Sequence, residues 1–184
     1  MTLEQQLSKL AELGLHLNPG VTLDDLLYSF PKEEYEQDPF GLLLFMLGSE
    51  VEREPWGRKI CDKVWNFDTE CILQTGDYVT IVKRLCALTD NLDALQDIQD
   101  FVDLERGEAW LKYTVNGREH HRTIEVNNDW ADTLTLTYVM GDLERDKRFY
   151  AADNGQSMIL LYLHPDQAAL LNDLLEAGLQ AVTG

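Results

Sequence analysis

Basic residues are scarce in this chain. Fifteen lysines and arginines stand against 33 aspartates and glutamates, which leaves a formal net charge of −18. General nucleic-acid binding needs cations that replace condensed counterions, so that class is excluded. Attraction to an anionic bilayer is excluded for the same reason. Cysteine is scarce too. Cys61, Cys71 and Cys86 form an odd set at irregular spacing, so no disulfide framework is expected. The absence of any CxxC pair removes the zinc-knuckle pattern. Each thiol has apolar neighbours and reads as a small buried hydrophobe in a reducing compartment. Long apolar runs are missing: the longest, Phe40–Leu47, is far too short to span a bilayer. The opening "MTLEQQLSKLAELG" has no basic stretch followed by an apolar one, so no secretory signal is expected. A cytoplasmic protein is the expectation.

The catalytic signatures are missing as well. The chain contains no GxSxG elbow, Walker loop or GxGxxG, and no HExxH or zinc-deaminase pattern. No lysine has an acidic residue two positions before it, as the common metal-dependent nucleases would require. His120 and His121 are adjacent, so on a strand they face opposite sides and cannot form one site. His16 and His164 have no spacing that would support a metal. No cofactor is expected.

What is present suffices for a core. The apolar fraction is 45% and the charged fraction 26%, both ordinary for a globular protein. The expectation is a single domain over 1–184, with residues 1–60 as a helical subregion on an α+β core of 61–184. Thr2 with Gln5 and Thr22 with Asp25 read as capping boxes opening two helices. Gly14 stops the first helix and Pro31 ends the second. Residues 32–39 read as an acidic loop. Phe40–Leu47 is either a buried strand or a short buried helix, since periodicity does not separate the two. Cys61 to Ile72 reads as a strand. Thr75-Gly76-Asp77 then starts a helix with Tyr78, Ile81, Val82, Leu85 and Leu88 on its apolar face.

The clearest hairpin is "GEAWLKYTVNGREHHRTIEV", where Asn116-Gly117 is the preferred type I′ pair. It puts Leu111, Tyr113, Val115, Ile124 and Val126 on one face. After it, the alternating Thr-Leu-Thr-Leu of residues 133–136 reads either as a strand or as a helix capped by Asp132, and Trp130, Leu134 and Tyr138 at every fourth position favour the helix. A second hairpin turns at Asp153-Asn154-Gly155. Pro165 opens the last helix, with Ala168, Leu171, Leu174, Leu175 and Leu179 as its stripe. Strands in hairpins without βαβ alternation predict an α+β fold, an antiparallel sheet covered by helices with an N-terminal helical segment.

Four segments in order, "VWNFDTECI", "GDYVTIVKRL", "GEAWLKYTVNGREHHRTIEVNNDWAD" and "RFYAADNGQSMILLYL", resemble the immunity proteins encoded beside bacterial polymorphic toxins. The resemblance spans roughly residues 64–163 and is one of pattern. It implies a non-enzymatic protein that blocks a toxin by direct contact.

The acidic balance itself favours fast, steered association with a basic protein. In "DNLDALQDIQDFVD", Asp90, Asp93, Asp97 and Asp100 recur at helical spacing, and a helix there would display them as one acidic stripe. Trp56, after Pro55 in a polar loop, and Trp130, between Asp129 and Asp132, are the candidate aromatic anchors. The leading expectation is therefore an immunity-type inhibitor that occludes a basic toxin or effector through these six residues. A second reading is a structural or regulatory module, homodimeric in one form. A third is a hydrolase or metal enzyme using Asp68 and Glu70, which would share one strand face.

Overall fold

The computed structural model describes residues 1–176 and 178–184. It is an α+β structure of helices and two sheets built from hairpins. The chain divides into two compact units: residues 1–67 with 149–181, and residues 68–148 with 182–184.

In the first unit, both capping boxes form. The Thr2 hydroxyl accepts from the Gln5 N–H at 3.3 Å, and the Gln5 amide oxygen accepts from the Thr2 N–H at 3.0 Å. That opens α1 (Leu3–Glu12), and Gly14 turns the chain away at φ 84°. Asp25 accepts from the Thr22 N–H at 2.8 Å and opens α2 (Leu23–Ser29).

The stretch expected as an acidic loop is instead mostly helix α3 (Lys32–Gln37). One residue accounts for this. Tyr35 is fully buried, and its hydroxyl donates to the Leu26 carbonyl at 2.8 Å, which docks an otherwise polar helix. Phe40–Leu47 resolves as helix α4 (Gly41–Leu47), with Leu43, Leu44, Met46 and Leu47 buried. Its entry is strained: Phe40 has φ 74°. The fully buried Gln6 holds it there. The Gln6 amide oxygen accepts from the Phe40 N–H at 2.9 Å, and its amide nitrogen donates to the Tyr35 carbonyl at 2.7 Å.

The sheet of this unit has the order β1 (Val64–Asp68), β6 (Ser157–Leu163), β5 (Arg148–Asn154) and β7 (Gln180–Ala181). The strand expected over 61–72 is thus only β1. Central β6 buries Ile159 to Leu163 without alternation, as a strand covered on both faces does. The β5–β6 turn falls at Gly155-Gln156, slightly later than expected. The last helix, α7 (Pro165–Asn172), stops before Leu174, Leu175 and Leu179, so the lower half of the expected stripe is not helical.

The second unit pairs β2 (Gln96–Asp103), β3 (Glu108–Val115) and β4 (Arg118–Thr123) in that order. Asn116 and Gly117 adopt φ 50° and 74°, the left-handed pair that a type I′ turn needs. The register sets Tyr113 opposite His120 and Lys112 opposite His121. Helix α5 (Asp77–Leu88) buries Tyr78, Ile81, Val82, Leu85 and Leu88, as its spacing predicts. Helix α6 (Thr133–Leu143) is capped by Asp132, which accepts from the Thr135 N–H at 3.0 Å.

Candidate binding surfaces

The helix expected over Asp90–Asp100 does not form. Residues 96–103 are strand β2, paired antiparallel with β3 through Asp100↔Leu111 and Phe101↔Trp110. Asp90 and Asp97 adopt φ 60° and 52°, incompatible with a helix, and the register shifts between Gln96 and Gln99. Long-range pairing with β3 overrides the local spacing. Asp90 and Asp93 lie in turns and are exposed, as is Asp97 on the irregular start of β2. Asp100 is only 8% exposed. Its carboxylate accepts from the backbone N–H groups of Gly76 at 2.8 Å and Tyr78 at 3.0 Å, at the start of α5. The four aspartates therefore form no common stripe.

Asp68 and Glu70 are both exposed, and the Asp68 carboxylate accepts from the Glu70 N–H at 3.0 Å. Among the described residues, no group of three or more His, Cys, Asp or Glu side chains is placed to hold a metal ion.

Trp56 is 68% exposed. It sits at the tip of a loop whose neck is closed by the Val51 N–H to the Arg58 carbonyl at 2.8 Å and the Ile60 N–H to the Ser49 carbonyl at 3.0 Å. The anchor of this loop is Asp25, 2% exposed. Arg53 Nε donates to Asp25 Oδ1 at 2.8 Å and Arg58 donates to the same oxygen at 3.2 Å. Arg58 also donates to the carbonyls of Pro55 at 2.9 Å and Gly20 at 3.2 Å. The Thr22 backbone N–H, then the two guanidinium groups, hold the Asp25 carboxyl well below the usual carboxylate range, against the opposing effect of burial. Arg53 in turn lies 5.7 Å above the ring of Tyr28, which is 60% exposed. An exposed tryptophan, an exposed tyrosine and an arginine thus hang from one buried carboxylate. Glu52 and Glu54, either side of Arg53, are exposed as well.

No protein-family model, curated protein or solved structure matches the chain.

In the second unit Trp130 is 37% exposed, and its backbone bridges to Glu70 and Asn127. Leu134 and Tyr138 are also exposed, on the outer side of α6. The Arg122 guanidinium lies 4.7 Å above the Tyr138 ring. Beneath it, the Tyr113 hydroxyl donates to Asp142 Oδ2 at 2.6 Å, and Arg122 Nε donates to the Tyr113 oxygen at 2.9 Å. His120 stacks on Tyr113 with ring centroids 5.2 Å apart. This group ties the β3–β4 hairpin to α6. Burial and the Asp142 carboxylate push the Tyr113 hydroxyl up to about 12.

A concave site lies in the first unit. A cleft of about 560 Å³ opens between α4 and the β5–β6 hairpin, with the residues after α7 on a third side. No helix of the described residues is long and apolar enough to cross a membrane.

Of the anchors expected from sequence, Trp56 is the most exposed. Tyr28, Arg53, Asp25 and Arg58 were not anticipated as its support. The legible trace is the pair of arginines bracketing the tip in "REPWGR".

Proposed function

We propose that this chain is an acidic binding protein of the immunity type, which neutralises a basic toxin or effector by direct contact and occlusion. The observation that carries the reading is Trp56 held out on a loop pinned to buried Asp25, with exposed Tyr28 and Arg53 on the same anchor. Tryptophan, tyrosine and arginine are the residues that dominate binding energy at interfaces. A loop fixed before binding loses little entropy on docking. The net charge of −18 supplies long-range attraction for a basic partner and a salt-dependent association rate. Exposed Asp90, Asp93 and Asp97 contribute to that field, whereas Asp100 is committed to α5. Trp130 is the secondary anchor.

The test is genetic and then physical. The product of the gene next to this one, expressed alone, should arrest growth, and coexpression of this chain should restore it. Trp56→Ala should weaken the complex at least about tenfold, the loss of one hot-spot side chain, while leaving the thermal midpoint unchanged. Growth arrest that this chain does not relieve would end the immunity reading. Full affinity in Trp56→Ala would remove the loop from the interface.

Self-association is a second reading, favoured by Leu134 and Tyr138 exposed on one side of α6. A mass by light scattering that rises with concentration, and falls back in Leu134→Glu, supports it. A constant monomer mass removes it.

A further inference from the structure

We propose that the cleft beside α4 is a socket for a short amphipathic segment of the partner that carries lysine or arginine. This rests on the reading of the chain as a binder of basic proteins, and adds where such a protein is gripped. The floor is apolar, formed by Leu42, Phe45 and Ile159, and the rim carries Asp38, Asp153 and Glu176. Among the described residues, none of these three carboxylates belongs to an ion pair. The surrounding sequence offers them no cation. Residues 149–181, which build two of the walls, contain no lysine or arginine, and neither does α4. Lys32, on the neighbouring helix α3, is already spent on Glu4 at 2.7 Å and Glu36 at 3.8 Å.

An apolar floor beneath a rim of three carboxylates without ion pairs, one of them accepting from the Gly155 N–H at 3.0 Å, matches one kind of side chain. Lysine and arginine lay an alkyl stem on apolar surface and keep a charged head at its edge. A hard metal ion needs carboxylate oxygens converging on one point at about 2.3–2.6 Å, and no such group occurs among the described residues. Anionic ligands are repelled. The volume of about 560 Å³ lies inside the range of about 300–1,000 Å³ for ligand-sized sites. It accommodates a stretch of peptide with apolar neighbours around the cation.

The wall is also set before any ligand arrives. A Cβ on Gly41 would stand 2.1 Å from Asp38 Oδ2, so the carboxylate lies directly over this glycine. Phe40, one residue earlier, holds its positive φ through buried Gln6. Strain maintained by a buried hydrogen-bonded side chain is a feature of ligand clamps.

The experiment is a two-dimensional amide NMR titration of the full chain with the capped peptide acetyl-Leu-Arg-Leu-Arg-Leu-amide. The same peptide with glutamate replacing arginine serves as control. The arginine peptide should give saturable shifts centred on Leu42, Phe45, Asp153 and Ile159, and the glutamate peptide none. The triple variant Asp38→Asn, Asp153→Asn, Glu176→Gln should bind at least about fivefold more weakly, the sum of three rim charges. Its unchanged spectrum elsewhere would show that it is folded. Shifts that spread over both units without saturating, or equal binding by the triple variant, would overturn the proposal. Spermidine giving the same saturable shifts would overturn it in favour of a free polyamine. Failure here is distinguishable from failure of the immunity reading. Rescue of growth without peptide binding would remove only the socket, and peptide binding without rescue would remove only the toxin.

Discussion

Asp25 and Asp100 are the two buried carboxylates among the described residues, and both are buried against backbone N–H groups at a helix start. Asp100→Ala would leave the N–H groups of Gly76 and Tyr78 without their acceptor in a site that water reaches poorly. We expect a loss of about 1–3 kcal/mol, against a change within about 0.5 kcal/mol for Asp93→Ala on the surface. Urea denaturation of the two variants checks this, and equal losses would mean that Asp100 does not hold α5. Asp25 makes a pH prediction. Its carboxyl is held below the unfolded value of about 3.9. The folded state therefore binds its proton less readily than the unfolded state does. Its contribution is fully present above about pH 4 and fades as pH falls towards the depressed folded value. Asp25→Asn should cost about 1–3 kcal/mol at pH 7, because the half-exposed arginines can partly rehydrate. The gap between variant and parent should narrow steadily below pH 4. A gap that stays constant to pH 2 would mean that neither the Thr22 N–H nor the arginines lower this carboxyl.

Elements whose signals are local were legible in the sequence. The capping boxes at Thr2 and Thr22, the Asn116-Gly117 turn and the apolar face of α5 all formed as their residues predict. What failed depends on distant partners. Residues 90–100 carry a helical spacing of aspartates, yet pairing with β3 makes most of 96–100 strand. Residues 32–39 are polar, yet one buried tyrosine folds most of them into α3. The site follows the same rule. Trp56 was visible as an aromatic in a polar loop, but its support was not, because Asp25 and Arg53 lie 28 residues apart in sequence. Helix α6 is the instructive mixture. Of the period that marked it, Leu134 and Tyr138 lie on the exposed side and Trp130 precedes the helix, while Leu136, Val139, Met140 and Leu143 are buried. Val139→Ala should therefore cost about 1–3 kcal/mol through a core cavity, and Leu134→Ala less than about 0.5. Thermal melts of the pair decide it, and a larger loss for Leu134→Ala would show that the outer side is covered.

At the scale of the whole molecule, the excess negative charge and the buried phenols act together at high pH. Tyr35, in the first unit, and Tyr78 and Tyr113, in the second, each have a hydroxyl pushed up to about 12, chiefly by burial. Nearby carboxylates add to it: Glu52 and Glu34 at Tyr35, Asp132 at Tyr78, and Asp142 at Tyr113. An unfolded tyrosine titrates near 10. Between about pH 10 and 12 the folded chain keeps three protons that the unfolded chain has released. Stability is therefore intact below pH 10 and is lost as pH rises towards 12. Each proton lost also adds to a surface already at −18, so self-repulsion works in the same direction. An absorbance titration at alkaline pH should show a separate second phase in which Tyr35, Tyr78 and Tyr113 ionise only with unfolding. Tyr35→Phe should remove one proton from the second phase and leave the other two. If all the tyrosines ionise together near pH 10 while the fold persists, the three hydroxyls are not buried as described, and the hydrogen bond from Tyr113 to Asp142 that joins the hairpin to α6 fails with them.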